Sequence, residues 1–247
     1  QLNIGRLLLK NTPVHELDNE LFTLLEPFNA GKALIQDAQE KSRLLAFNIR
    51  AGIMAKSASA FNAAIQLLEI AKSLLVTDAW KLFPNQTLTV YKELAEALYL
   101  AGDYDKAQQL YDEGLQKADN NLAKITLLLV QSEQYQSQGR HQESIDILNH
   151  GLALLGHPVW FEESESAKQL PQMLCEVEHL LDSFDTSQII GLPEMIRLEH
   201  LLAIELYSNL LNDLYVTGRS SSHGLCACQM VLLTLNHGQC DLSAIGF

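Results

Sequence analysis

The stretch LTVYKELAEALYLAGDYDKAQQLYDEGLQK, residues 88–117, decides the fold class. On both sides of Gly102 its apolar residues recur at the three- and four-residue spacing of one helical face. Small residues, Ala107 and Gly114, stand where a second helix would cross the first closely, and the bulky Tyr111 stands between them. The pattern therefore predicts two antiparallel helices joined by a tight turn.

The same arrangement occurs three times in succession along the chain. Residues 125–154 fit the template well, and residues 45–71 fit it more loosely. The small position of the second helix is taken by Ala64, Ala107 and Ser144, which lie 43 and 37 residues apart. Three matches in the right order indicate an internal repeat rather than a chance similarity.

The pattern of large and small residues at these offsets resembles that of the tetratricopeptide repeat (TPR), a helix pair with a nominal period of about 34 residues. The resemblance implies an all-α fold in which TPR-like antiparallel helix pairs stack into a right-handed superhelix, an α-solenoid. The observed spacings exceed the nominal period, so we expect longer linkers and irregular repeats. No segment shows the alternation or the hairpin turns of β-strands.

Turn-forming residues divide the chain into four parts of one helical-repeat domain over residues 1–247. Residues 1–36 are predicted to form N-terminal helices, and residues 37–156 three TPR-like repeats. Residues 157–192 break the rhythm and are predicted to hold an irregular loop and a helix. Residues 193–247 are predicted to form a degenerate helix pair that is truncated.

Two of these parts give specific helix boundaries. Apolar residues from Val14 to Phe28 predict one amphipathic helix in the N-terminal part. In the last part, helices are predicted over about 194–216 and 223–237, with a polar connection between them.

The composition limits the function classes. The chain holds 47 leucines against 13 glycines and 6 prolines, and 47% of its residues are hydrophobic, which suits a buried helical core. A net charge of −13 argues against nucleic-acid binding, which needs a basic patch. The apolar runs are too short to span a membrane. Four cysteines are too few for a disulfide framework, so a cytoplasmic location is predicted.

Several short segments resemble one family over nearly the whole chain. They are Ile4-Gly5-Arg6-Leu7-Leu8-Leu9, Phe28-Asn29-Ala30-Gly31, Asn48-Ile49-Arg50-Ala51-Gly52, Asp78-Ala79-Trp80 and Asn236-His237-Gly238. Together they resemble the TPR-like helical region of large bacterial multidomain signalling proteins. In that family a Ser/Thr-kinase-like domain and a predicted AAA-type ATPase precede the region, and a GAF sensor with a histidine kinase or diguanylate cyclase follows it. The arrangement is similar to that of STAND-class regulators.

The resemblance implies a non-catalytic interaction and relay scaffold that links an ATPase module to downstream sensor and output domains. Its partner would be a protein, a peptide or a neighbouring domain of the same chain. The alternative is a sensor domain of a STAND-like regulator that binds a small molecule or a peptide effector. The chain itself has no phosphate-binding loop, nucleophile elbow or metalloprotease motif, so no enzymatic activity and no cofactor are predicted.

Polar and aromatic residues mark the candidate partner contacts. The polar residues belong to the first repeat, near the face that typically lines a superhelix groove, and simple solvent exposure is their alternative role: Asn48, Arg50, Lys56 and Asn62. Trp160 and Phe161 lie together in the irregular loop and are candidate ligand or partner contacts. Trp80 is expected to fill the junction between two helix pairs.

Two clusters near the C-terminal half invite a metal-binding interpretation. His223, Cys226, Cys228, His237 and Cys240 offer the ligand types that Zn²⁺ prefers. However, residues two apart on a helix point about 200° away from each other, so buried cysteines packing as small hydrophobes are the favoured interpretation and no metal is predicted. The acidic run at 162–165 is expected to be a solvated segment leading into a helix.

Overall fold

The computed structural model describes residues 1–158 and 162–246. These residues form thirteen α-helices and, apart from one isolated bridge, no β-structure. The all-α prediction of TPR-like helix pairs is therefore confirmed. None of the described helices combines the length and the apolar character that a membrane crossing requires.

The chain divides into two compact units, residues 1–119 and residues 120–247. Each unit has its own helices and its own buried core. The single continuous domain and its right-handed superhelix stay predictions.

The first unit contains two N-terminal helices and two TPR-like pairs. Its helices are α1 (Leu2–Asn11), α2 (Leu21–Ala30), α3 (Ala38–Ser57), α4 (Phe61–Leu74), α5 (Ala79–Leu82), α6 (Pro84–Leu100) and α7 (Tyr104–Lys117). Helices α3 and α4 form the first pair, and α6 and α7 form the second. The small residues predicted at the crossings, Ala64 and Ala107, are both buried. The burial that the template implies for both positions is therefore confirmed, and their place at the helix crossing stays a prediction.

Turns between paired helices use left-handed backbone at equivalent positions. Gly102 has φ +86° between α6 and α7, where glycine carries no steric penalty. Ser59 adopts φ +59° at the equivalent turn of the first pair. A serine is strained there, which agrees with the looser fit of the first repeat to the template.

The N-terminal part departs from the prediction of one long helix over Val14 to Phe28. Residues Val14–Glu16 form a single 3₁₀ turn, and α2 begins only at Leu21. The backbone N–H groups of Asn19 and Glu20 both donate to the carbonyl of Glu16, which closes a turn before α2 begins. Val14 is consequently 86% exposed instead of buried.

The second unit contains one TPR-like pair followed by less regular helices. These are α8 (Asn121–Ser137), α9 (His141–Leu154), α10 (Glu163–Leu181), α11 (Thr186–Ile190), α12 (Leu198–Val216) and α13 (Ser220–His237). Helix α12 packs against both α9 and α13, and its Leu206 and Tyr207 are fully buried in the main core. Ser144 of α9 is also fully buried, as the template predicts.

The predicted start of α12 near residue 194 was wrong. The backbone N–H of Met195 donates to the carbonyl of Gln239, and the N–H of Gln239 donates to the carbonyl of Pro193, both at 2.8 Å. These bonds hold residues 193–197 in an extended conformation, so the helix begins at Leu198.

The predicted start of α13 at His223 was also wrong, because a side chain from another helix caps α13. The carboxylate of Glu163 on α10 accepts hydrogen bonds from the backbone N–H of Ser221 at 2.6 Å and of Ser222 at 3.1 Å. The Ser222 hydroxyl adds a third bond at 2.9 Å. An anion at a helix N-terminus satisfies unpaired donors and complements the dipole, so α13 extends back to Ser220.

Candidate functional site

Lys56 sits in a charged contact between the first helices of the two pairs in the first unit. Its ammonium lies 2.5 Å from a carboxylate oxygen of Glu93 and also contacts Glu96, both on α6. Burial alone would lower the pKa of Lys56, but the hydrogen bonds to the two glutamates outweigh it and raise that pKa. Lys56 is mostly buried and joins α3 to α6, so its role in binding a partner stays a prediction.

Asn48 is not an exposed groove residue. It is fully buried, and it exchanges two amide hydrogen bonds with Asn29 of α2, at 2.8 and 2.9 Å. Its side chain also donates to the carbonyl of Leu44 at 2.9 Å. The prediction of a partner contact at Asn48 is therefore corrected: a buried amide must be fully paired, and this one ties α2 to α3.

The other residues predicted as partner contacts either lie on the surface of the first unit or fall outside the residues that the structure describes. Arg50 is exposed and pairs with Asp18. Asn62 is exposed beside a shallow cavity of about 530 Å³ lined by Phe61 and Leu100, among others. Their roles as partner contacts stay predictions. Trp160 and Phe161 lie outside the described residues.

A more developed site lies around Trp80, at the junction of the two helix pairs. The short helix α5 places Trp80 against Tyr91 of α6, with ring centroids 5.0 Å apart. Lys72, near the end of α4, lies over the Tyr91 ring with its ammonium 4.9 Å from the centroid. Glu113 and Lys117 of α7 complete one wall. We call this space, with a volume of about 610 Å³, the Trp80 cleft.

Glu113 organises the charges of the cleft. Its carboxylate accepts hydrogen bonds from the Tyr91 hydroxyl at 2.7 Å, from Lys117 at 2.7 Å and from Lys72 at 2.5 Å. Burial would raise the pKa of Glu113, but the bonds from Lys117, Lys72 and Tyr91 outweigh it and lower that pKa to about 2. Burial and the bond to Glu113 raise the pKa of Tyr91. The cleft therefore presents a fixed pattern of aromatic, cationic and anionic groups.

The chemistry of the cleft suits recognition. Its side chains include two aromatics in tilted contact, three lysines and three acids: Trp80, Tyr91, Lys72, Lys81, Lys117, Asp78, Glu113 and Asp119. Glu113 is ionised and already engaged by three donors, so it is not a general base poised near neutral pH. An aromatic floor with mixed charges around it is typical of a peptide-binding surface.

The sequence predicted that Trp80 fills the junction between two helix pairs, but it did not predict which residues surround Trp80. Lys72 and Glu113 are 41 residues apart, and no local pattern relates them. The available signal was the spacing of 43 residues between Ala64 and Ala107, which exceeds the repeat period and leaves extra residues to form α5.

The Glu113 contacts predict a pH-dependent stability of the first unit. At pH 6 we expect Glu113→Gln to destabilise this unit by about 1–2 kcal/mol, allowing for the partial exposure of the side chain. A lowered pKa stabilises the fold above the unfolded-state value of 4.5, and this stabilisation is lost as the pH falls toward about 2. The gap between the variant and the wild-type protein should therefore close over that range.

Thermal melts at pH 6, 4 and 2.5 measure this gap. Asp112→Asn is the matched control, because Asp112 is an exposed neighbour on α7 outside the cleft. A gap of constant size at all three pH values would contradict the ionised role of Glu113.

The cysteines and histidines predicted as an alternative metal cluster do not converge. Cys226 and Cys228 are buried in different parts of the core of the second unit. His237 stacks on His200 with centroids 3.7 Å apart, and His223 lies beside Tyr215. Within the described residues, no three His, Cys, Asp or Glu side chains are grouped as a metal site requires.

Comparison with known proteins identifies the repeats. Residues 85–156 match the family described as Tetratricopeptide repeat, which covers the second and third predicted repeats. This part of the chain is therefore similar to tetratricopeptide repeats, whose stacked helix pairs form extended concave binding surfaces. No solved structure matches the chain significantly.

A signalling protein shares part of the sequence. The chain is 28% identical over 171 residues to the hybrid signal transduction histidine kinase G of Dictyostelium discoideum. The alignment covers 59% of this chain but 5% of that protein. The similarity fits a TPR-like region of a signalling protein.

Proposed function

We propose that this chain is a non-catalytic interaction and relay region of a larger signal-transduction protein, and that the Trp80 cleft binds a peptide segment of its partner. The observation that carries the proposal is the cleft itself, in which α5, α6 and α7 present Trp80 and Tyr91 beside a charged network. Aromatic side chains with adjacent fixed charges are the usual anchors of a protein interface.

The partner is a protein, or a neighbouring domain of the same polypeptide. The relay links an ATPase module, of the AAA type and STAND-like arrangement, to downstream sensor and output domains in a cytoplasmic protein. Support comes from the family resemblance and from the alignment to a histidine kinase of which this chain matches only 5%. The proposed output is a histidine kinase or a diguanylate cyclase, as in the bacterial proteins that the sequence resembles.

The cleft favours a peptide over an enclosed small effector. Its rim includes Asp78, Lys81 and Lys117, which are all exposed to solvent. A small-molecule pocket normally encloses most of its ligand with apolar walls, whereas a peptide site stays open and keeps a polar rim. The Trp80 cleft therefore fits an interaction scaffold better than an effector pocket.

Selection from a random peptide library displayed on phage tests the proposal. We expect the full chain to enrich a peptide motif, and Trp80→Ala to weaken binding of the enriched peptides at least tenfold, since buried Trp anchors commonly contribute about 2 kcal/mol or more. Phe83→Ala is the control, because Phe83 is an exposed aromatic next to the cleft that does not line it. Enriched peptides that bind both variants equally would refute the cleft as the binding site.

A further inference from the structure

We propose that a second cavity in the first unit, bounded by α1, α2 and α3, binds a small amphiphilic carboxylate. This cavity, here the α1–α3 cavity, has a volume of about 340 Å³ and shares no lining residue with the Trp80 cleft. Its lining comprises Arg6, Leu9, Lys10, Phe28, Glu40, Arg43, Leu44 and Phe47. The inference goes beyond the peptide-binding function and does not depend on it.

The floor of the cavity is apolar and closely packed. Phe28 and Leu44 are almost completely buried beneath it, and Leu9 and Phe47 form partly buried walls. Gly5 allows the Phe28 ring to lie directly against α1, because a Cβ at that position would be 2.7 Å from the ring. The floor is therefore held in place by the fold, and it offers an aromatic and aliphatic surface to an apolar ligand body.

The rim of the cavity carries an excess of positive charge. Arg6 pairs with Glu40 through two hydrogen bonds of 2.7 Å, which accounts for the one anion of the rim. Within residues 1–158 and 162–246, Lys10 and Arg43 form no ion pair. Arg43 also lies close enough to Glu40 to help lower the pKa of that carboxylate. The rim nevertheless carries three cations against one anion, and this excess of positive charge beside an apolar floor is complementary to an anion that has an apolar body.

A small ligand suits the space better than a folded segment. Pockets for small molecules typically measure about 300–1,000 Å³, and this cavity lies at the lower end of that range. A carboxylate can accept two parallel hydrogen bonds from the planar guanidinium of Arg43. In the proposed complex the carboxylate binds Arg43 and Lys10, and the apolar chain lies along Phe28 and Phe47, which line the same cavity.

Octanoate is a suitable probe of this site, and NMR titration of the full chain locates where it binds. We expect octanoate to shift the resonances of Phe28, Leu44 and Phe47 in a saturable way, while octanol, which lacks the charge, binds at least tenfold more weakly. Shifts confined to other regions, or equal affinities for octanoate and octanol, would overturn the assignment.

Substitutions at the rim test the role of Arg43. Arg43→Gln should weaken octanoate binding about tenfold, and Arg43→Lys, which keeps the charge, should lose less. Lys41→Gln is the control, because Lys41 is an exposed cation on the same helix that lies outside this cavity. Equal affinities in Arg43→Gln and Lys41→Gln would overturn the proposal.

Discussion

Replacing Gly52 by leucine is expected to destabilise the first helix pair by about 2–3 kcal/mol, near the upper end of typical overpacking costs. A Cβ atom at Gly52 would lie 2.6 Å from Cγ of Leu68, which is fully buried on α4. The clash involves the branch point of Leu68 rather than its flexible tip, so a rotamer change relieves it poorly. Leucine has a better helix propensity than glycine, but this stabilises the helix by only about 0.8 kcal/mol. The cost of overpacking therefore determines the net change in stability.

Hydrogen exchange of peptides from α3 and α4, measured by mass spectrometry on the full chain, reports this loss locally. Ala46→Leu is the control on the exposed side of α3 and should change stability by less than about 0.5 kcal/mol. Leu68→Ala alone should cost about 2–5 kcal/mol because it leaves a cavity.

The double variant of Gly52 and Leu68 separates direct contact from general disruption. In Gly52→Leu with Leu68→Ala, the added side chain fills the space that Leu68 vacates. The total cost should fall short of the sum of the single costs by about 0.5–3 kcal/mol, as expected for residues in contact. Additive costs would contradict the close approach of α3 and α4 at this crossing.

The burial of the small template positions was predictable from sequence because these positions obey a local rule. Ala64, Ala107 and Ser144 recur at one place in the template, and all three are buried. Close helix crossings admit only small side chains, so the rule depends on residue size and spacing alone. The turns at Gly102 and Gly139 follow a similar rule, since both adopt positive φ.

The features missed by sequence analysis depend on contacts between distant residues. Asparagine usually lies on the protein surface, and nothing in the sequence around Asn48 indicates otherwise. Only the hydrogen bonds between Asn48 and Asn29 show that Asn48 has a buried structural role. The first residue of α13 is set by Glu163, which lies more than fifty residues earlier in the chain. Helix ends and the hydrogen-bond partners of polar side chains are therefore hard to predict from local sequence. A hydrogen-bond donor can be satisfied by any group that is near it in space, however distant that group is along the chain.

The Trp80 cleft arises where the repeat is least regular. Ala64 and Ala107 are 43 residues apart, about nine more than a nominal repeat period of roughly 34. The extra residues between α4 and α6 include α5, which carries Trp80 into the space beside Tyr91. An insertion in a repeat array maps to one face and commonly forms a binding feature there. The departure from the repeat period thus indicates where the candidate site lies. The charged contacts within the site could be identified only from the structure.

In the second unit, the fully buried Asp213 of α12 supports a large predicted effect on stability. Its carboxylate lies 2.8 Å from Nδ1 of His141 and accepts a hydrogen bond of 2.9 Å from the Gln136 side chain. These two residues belong to α9 and α8, so one carboxylate connects three helices. A buried carboxylate is tolerated only where such partners compensate for its lost hydration.

Asp213→Ala is expected to destabilise the second unit by about 3–4 kcal/mol, since it removes two charge-assisted hydrogen bonds and leaves a cavity. Gln136 keeps a bond to the carbonyl of Asn209 at 3.1 Å, so the loss falls mainly on His141. Hydrogen exchange should therefore accelerate most in peptides from α9 and α12. Asn212→Ala, at the exposed neighbouring position, should change stability by under about 0.5 kcal/mol. Equal effects of the two substitutions would show that Asp213 does not hold these helices together.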